Sequence, residues 1–134
     1  MFRHALMSAL LSVLMTAAQA IETVPAINPL AGDPTAAAKG EELFGRNCQQ
    51  CHNSRGKGGK GPQLVKGAWG PGGANSDGYM FGIVSNGRSG TQMGGFGMAL
   101  KQDEIWQIIA FLRAEAQRVR RAETASKSAD DEPW

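Results

Sequence analysis

Apolar positions recur at helical spacing in the last third of the chain, and no run alternates as a half-buried strand would. Ile105, Ile108, Ile109 and Leu112 follow the i, i+3, i+4, i+7 rule, with Trp106 and Phe111 flanking the stripe. This predicts an amphipathic helix beginning at Gln102 or Asp103, where acidic side chains suit the positive end of the helix dipole. Arg113, Arg118, Arg120 and Arg121 then load its far end with complementary positive charge. Upstream, Asp33-Pro34 supplies a capping carboxylate and a proline at the first helical position, and Ala36, Ala37 and Ala38 favour helix. The first helix is expected to run to about Cys48. A shorter apolar piece, Tyr79 to Ser85, also reads as helical. The predicted fold class is all-α.

The ends of the chain differ from this middle. Arg3 precedes an uncharged stretch from Ala5 to Ala18, and Ala18-Gln19-Ala20 follows with small residues flanking a polar one. That order is the charged, apolar and small-residue pattern of a secretory signal cut after Ala20. The competing reading, a retained membrane anchor, has an uncharged run at the short edge of what spans a bilayer. Residues 1–20 are therefore expected to be a signal peptide, leaving the protein periplasmic and without stable membrane insertion. Residues 21–32 read as an aperiodic N-terminal arm, 33–122 as the single folded domain, and 123–134 as a disordered tail of mostly small and charged residues.

Composition sharpens the picture in the middle. Fifteen of the 18 glycines lie between Gly56 and Gly97. A stretch so rich in glycine does not build its own core, and loops of this length are normally functional. It must fold around something large and apolar. The formal net charge of +2 excludes a polybasic nucleic-acid binder, and no nucleic-acid partner is expected. Two cysteines and two histidines exclude a disulfide-rich scaffold and most multi-ligand metal sites.

Those few residues are nevertheless arranged for one chemistry. Cys48-Gln49-Gln50-Cys51-His52 is the C-x-x-C-H pattern of covalent c-type haem attachment. Two thiols three positions apart near a helix end can add to the two vinyl groups on one porphyrin edge. The next residue then offers an imidazole to the iron. A thioredoxin-like pair would want a βαβ context, and a structural zinc would want about four ligands. Neither requirement is met. A plain disulfide would leave the adjacent histidine and the glycine-rich wrap unexplained. With His4 removed by signal cleavage, His52 is the one histidine left, so the opposite ligand must be of another type, and methionine sulfur suits an electron-transfer haem. Met80 falls in the short helix, where packing explains it. Met93, in the loop Gly90-Thr91-Gln92-Met93-Gly94-Gly95, and Met98, nearer the last helix, remain as candidates.

From about Asp33 to Ala114 the chain resembles class I mono-haem bacterial c-type cytochromes. The likeness rests on Gly40 and Phe44 before the haem motif, on Gly61-Pro62 after it, and on Met93 followed by Phe96, Gly97 and Leu100 before a terminal amphipathic helix. It implies a small cytochrome c fold with N- and C-terminal helices crossing beside one covalent haem c. It also implies Met93 rather than Met98 as the sixth ligand, and the Pro62 carbonyl as partner of the second His52 nitrogen. One position departs from the pattern: Gly94 stands where such proteins usually carry proline after the ligand methionine. A looser loop and a more labile iron–sulfur bond are the expected consequences.

Charge and exported location complete the expectations. Between Glu42 and Asp77 there is no acidic residue, while Arg46, Arg55, Lys57, Lys60 and Lys66 are all present. They are read as a basic rim around the haem edge that steers docking onto acidic redox partners. Trp69 and Arg88 are candidate donors to the haem propionates. The function expected is a monomeric electron carrier, with no catalytic residues, between a periplasmic dehydrogenase and a terminal oxidase or another cytochrome. Gly67-Ala68-Trp69-Gly70 is similar to a segment of cytochromes serving quinoprotein alcohol dehydrogenases. The alternative is a small peroxidase-like haem enzyme or sensor, which needs an open iron position and distal acid–base groups.

Overall fold

The computed structural model describes residues 24–130, and its regular elements are all helical. The expected signal at 1–20 and the last four residues lie outside the described residues. Helix α1 spans Pro34–Asn47 and opens as expected: the Asp33 carboxylate accepts from the Thr35 and Ala36 amides at 2.8 and 3.2 Å. A single further turn, α2 (Gln49–His52), carries the end of the haem motif. Helix α3 spans Asp77–Asn86, starting two residues before its expected limit because the Ser76 hydroxyl caps the Tyr79 amide. Helix α4 spans Gln102–Asp130. Among the described residues no helix is long and apolar enough to cross a membrane.

The core sits where α1 crosses α4. Gly40 makes the crossing close: a Cβ there would lie 1.9 Å from the Gln107 carbonyl oxygen. One turn along, Phe44 meets Phe111 with ring centroids 5.4 Å apart. Ile105, Ile108, Ile109 and Leu112 are all essentially buried. Helix α3 closes the third side with Met80, Phe81 and Val84, and Phe81 lies against Trp106 at 4.4 Å. Met80 is core packing, as its helical position suggested.

The N-terminal arm is docked rather than loose. Asn28 is 3% exposed and donates from Nδ2 to the Trp106 carbonyl at 2.8 Å. Its backbone amide donates to Asp77 Oδ2, while Arg113 Nε donates to Asp77 Oδ1. Periodicity cannot reveal such a strap, because its contacts are backbone and amide bonds to distant helices.

The expected tail needs correction over residues 123–130, which continue α4 as helix. Glu123, Ala125, Lys127 and Ala129 are good helix formers alternating with weaker Thr, Ser and Asp, and an already nucleated helix propagates through them without burying anything. Lys66 also ties to Glu123. The arginines read as a helix terminus therefore lie along the middle of α4, where Arg113 and Arg118 make specific ion pairs with Asp77 and Glu115.

Candidate functional site

The glycine-rich middle wraps a cleft of about 510 Å³. Its walls include Leu64, Ala68, Trp69, Ile83 and Phe96; its floor carries Cys48, Cys51 and His52, and Met93 lines it from a separate loop. Cys48 follows the last residue of α1, and Cys51 and His52 occupy the next turn, so the motif is displayed at a helix end. The two thiols are free, Cys48 half-buried and Cys51 exposed. Burial, reinforced by neighbouring Cys51, pushes the Cys48 thiol up to about 11.

His52 is 7% exposed and held from one side. Its Nδ1 lies 2.8 Å from the Pro62 carbonyl oxygen, which fixes the ring tautomer with hydrogen on Nδ1. In the neutral ring this tautomer leaves Nε2 without a hydrogen. Gly61 lets the chain pass this close: a Cβ there would stand 2.8 Å from His52 Cε1 and 3.0 Å from Nδ1. The segment folds back through Gly58 N to His52 O, Gly61 N to Cys51 O and Leu64 N to Gly56 O, each at 2.8 Å.

The methionine loop hangs from the end of α3. Gly87 and Gly94 form an isolated antiparallel bridge, and the Arg88 amide donates to the Met93 carbonyl at 2.9 Å. Beyond it, the Phe96 and Gly97 amides donate to the Val84 and Ser85 carbonyls at 2.9 and 3.0 Å. Met93 is half-buried in the cleft wall, whereas Met98 is fully solvent-exposed and does not line the cleft. The two methionines that spacing alone left open thus differ in position.

The two expected propionate donors, Trp69 and Arg88, both line the cleft and each already makes one bond to a backbone carbonyl. The Trp69 indole N–H donates to the Leu64 carbonyl at 3.1 Å, and Arg88 Nη1 donates to the Trp69 carbonyl at 2.9 Å. Trp69 has spent its one polar hydrogen on the cleft wall itself. Arg88 retains other donors and lines the cleft. The expected basic rim is also thinner than the charge count suggests. Arg55 pairs with Glu41 and Glu115, and Lys66 with Glu123. Arg46, Lys57 and Lys60 are exposed and have no ion-pair partner among the described residues.

Sequence reasoning missed one cluster beside the site. Glu115 is 2% exposed and accepts from Arg55 Nη2 at 2.6 Å and from Arg118 Nε and Nη2 at 2.9 and 2.6 Å. The hydrogen bonds from Arg118 and then Arg55 outweigh burial and hold its carboxyl low, at about 2. No local pattern signals a pairing across sixty positions.

Residues 35–112 match the family model described as cytochrome c oxidase, cbb3-type, subunit III. The chain belongs to this family. It is a c-type cytochrome, and membership implies a covalently bound haem c and a role in electron transfer. A cbb3-type cytochrome c oxidase subunit CcoP of Rubrivivax gelatinosus is 49% identical over 47 residues, covering 34% of this chain and 16% of that protein. Among solved structures, cytochrome cL of Hyphomicrobium denitrificans aligns with a TM-score of 0.60 and 30% identity, over 65% of this chain and 51% of that one. Cytochrome cL of Methylophaga aminisulfidivorans aligns at 0.58 and 27%, over 74% and 71%. The chain therefore spans about half of the first cytochrome cL and about a sixth of the oxidase subunit.

The cytochrome's own residues fit the haem. The cleft is walled mainly by apolar side chains, both thiols open onto it, and the buried imidazole has one nitrogen committed to a carbonyl and the other free.

Proposed function

We propose that this cytochrome is a periplasmic, monomeric electron carrier holding one haem c, with Cys48 and Cys51 as thioether sites and His52 and Met93 as axial ligands. The observation that carries the reading is the 2.8 Å contact between His52 Nδ1 and the Pro62 carbonyl at the edge of the cleft. It orients the ring, leaves Nε2 as the ligand atom and makes that nitrogen more electron-rich. When bound, the haem supplies one-electron exchange between ferric and ferrous iron. Leu64, Ile83 and Phe96 line the cleft and would keep water from the bound group, and Met93 would offer it a soft thioether that favours ferrous iron.

No carboxylate and no second histidine line the cleft among the described residues, which leaves the peroxidase-like alternative without its usual acid–base pair. This favours a carrier over the peroxidase-like alternative. The unpaired cations Arg46, Lys57 and Lys60 supply a docking charge for acidic partners. The resemblance of Gly67-Ala68-Trp69-Gly70 to cytochromes serving quinoprotein alcohol dehydrogenases favours a periplasmic dehydrogenase of that class as donor. The oxidase-subunit match favours a terminal oxidase or another cytochrome as acceptor.

Expression with a c-type maturation system tests this. Haem that stays with the chain after denaturation, one per polypeptide, and is lost in the double variant Cys48→Ala, Cys51→Ala is the expected result. Haem that extracts freely, or a second haem per chain, contradicts it.

A further inference from the structure

Arg55 lies three residues beyond His52 and reaches two helices at once. One end of its guanidinium pairs with Glu41 on α1, the other donates to buried Glu115 on α4 at 2.6 Å. The same group sits over the Phe111 ring, 5.6 Å from its centroid. While making these contacts the residue adopts φ +56°, a left-handed backbone unfavourable for arginine. Nothing in the turn itself calls for so long a side chain, so the ion pairs offset the strain.

The next residue passes the constraint onward. Gly56 is buried against Leu112 and Val65, and its carbonyl accepts the Leu64 amide at 2.8 Å. Leu64 follows Pro62 by two positions, and the Pro62 carbonyl holds His52. The route from the ion pair to the imidazole is thus Arg55, Gly56, Leu64, Gln63, Pro62, His52, every link being a peptide bond or a hydrogen bond.

We infer that Arg55, clamped between Glu41 and Glu115, is a positioning residue for His52, fixing the Pro62 carbonyl against the ring nitrogen. The inference rests on the reading of His52 as haem ligand and adds what aims it. Glu115 is the anchor. Arg118 shares that carboxylate but makes no hydrogen bond or ion pair with the haem-attachment segment among the described residues, so it serves as the control.

Hydrogen exchange followed by NMR in the haem-loaded protein tests the pin. Arg55→Asn, whose short side chain tolerates the left-handed backbone, should speed exchange of the His52 ring N–H and the Leu64 amide by at least about tenfold. The Ile108 and Ile109 amides in α4 should change much less. Arg55→Lys should restore most of the protection, and Arg118→Ala should leave the ring proton near its wild-type rate. Unchanged ring-proton exchange in Arg55→Asn, or acceleration equalled at Ile108 and Ile109, overturns the positioning role. Failure of the parent reading shows itself separately, as wild-type protein whose bound haem iron is not ligated by His52.

Discussion

The two glycine-rich segments that border the cleft are built on different terms. The segment from Cys48 to Leu64 is stitched to itself by backbone bonds at 2.8 Å, to the imidazole through Pro62, and to both long helices through Arg55. The loop from Gly87 to Gly97 is bonded to α3 at its ends, and between them mainly to itself through Arg88, Thr91 and Met93, with one tie from Arg88 to the Trp69 carbonyl. A Cβ at Gly87 would strike the Met93 carbonyl oxygen at 2.6 Å, and one at Gly95 the Ser85 carbonyl oxygen at 2.5 Å. At its tip, Gly90 has nothing within 4 Å of a Cβ position, and the same holds for Gly94 where it pairs with Gly87. Glycine in the first segment and at the loop's ends permits close approach; at the loop's tip it leaves slack. The imidazole side is therefore held rigidly, and the thioether side can adjust.

The largest effects that test this contrast are expected at the loop's root. Gly95→Ala pushes against backbone on α3, which has little room to yield, and should destabilise by about 3 kcal/mol in denaturant unfolding. Gly61→Ala sets a methyl against the His52 ring and should cost about 2 kcal/mol, with a disturbed His52 ring-proton signal. A neutral outcome for either would mean that the close approaches it relies on are not made.

Glu115→Gln removes the charge both guanidiniums share and should cost about 2 kcal/mol at neutral pH. Because folding depresses this carboxyl from 4.5 to about 2, its contribution is present above pH 4.5 and fades as pH falls through that window. The wild type should lose stability there more steeply than Glu115→Gln, as read from urea midpoints at successive pH values. Parallel curves would remove Glu115 as the anchor. Smallest of all, Gly94→Ala, whose methyl would meet nothing within 4 Å, should change stability by less than about 0.5 kcal/mol. A loss as large as that of Gly95→Ala would erase the difference between the open and the crowded glycines of the loop.

The features legible beforehand were those written locally. The α4 stripe from Ile105 to Leu112, the Asp33-Pro34 start of α1 and the Cys48–His52 motif each sit within a few positions, where periodicity and capping apply. The features that were not legible join distant positions. Asn28 to Trp106 and Arg55 to Glu115 depend on which helices meet, and charge counting assigned Arg55 and Lys66 to an open rim that their carboxylate partners partly neutralise. The extension of α4 through residues 123–130 was hidden for another reason. Low hydrophobicity resembles disorder in composition, yet the same residues propagate a helix already begun.

Optical spectra of the haem-loaded protein and its two methionine variants test the central claim most directly. The ferric wild type should show the weak far-red band of sulfur–iron ligation, Met93→Ala should lose it, and Met98→Ala should keep it. A ferric spectrum indifferent to Met93→Ala, or a band that vanishes with Met98→Ala instead, would contradict the assignment of the cleft's two faces to His52 and Met93.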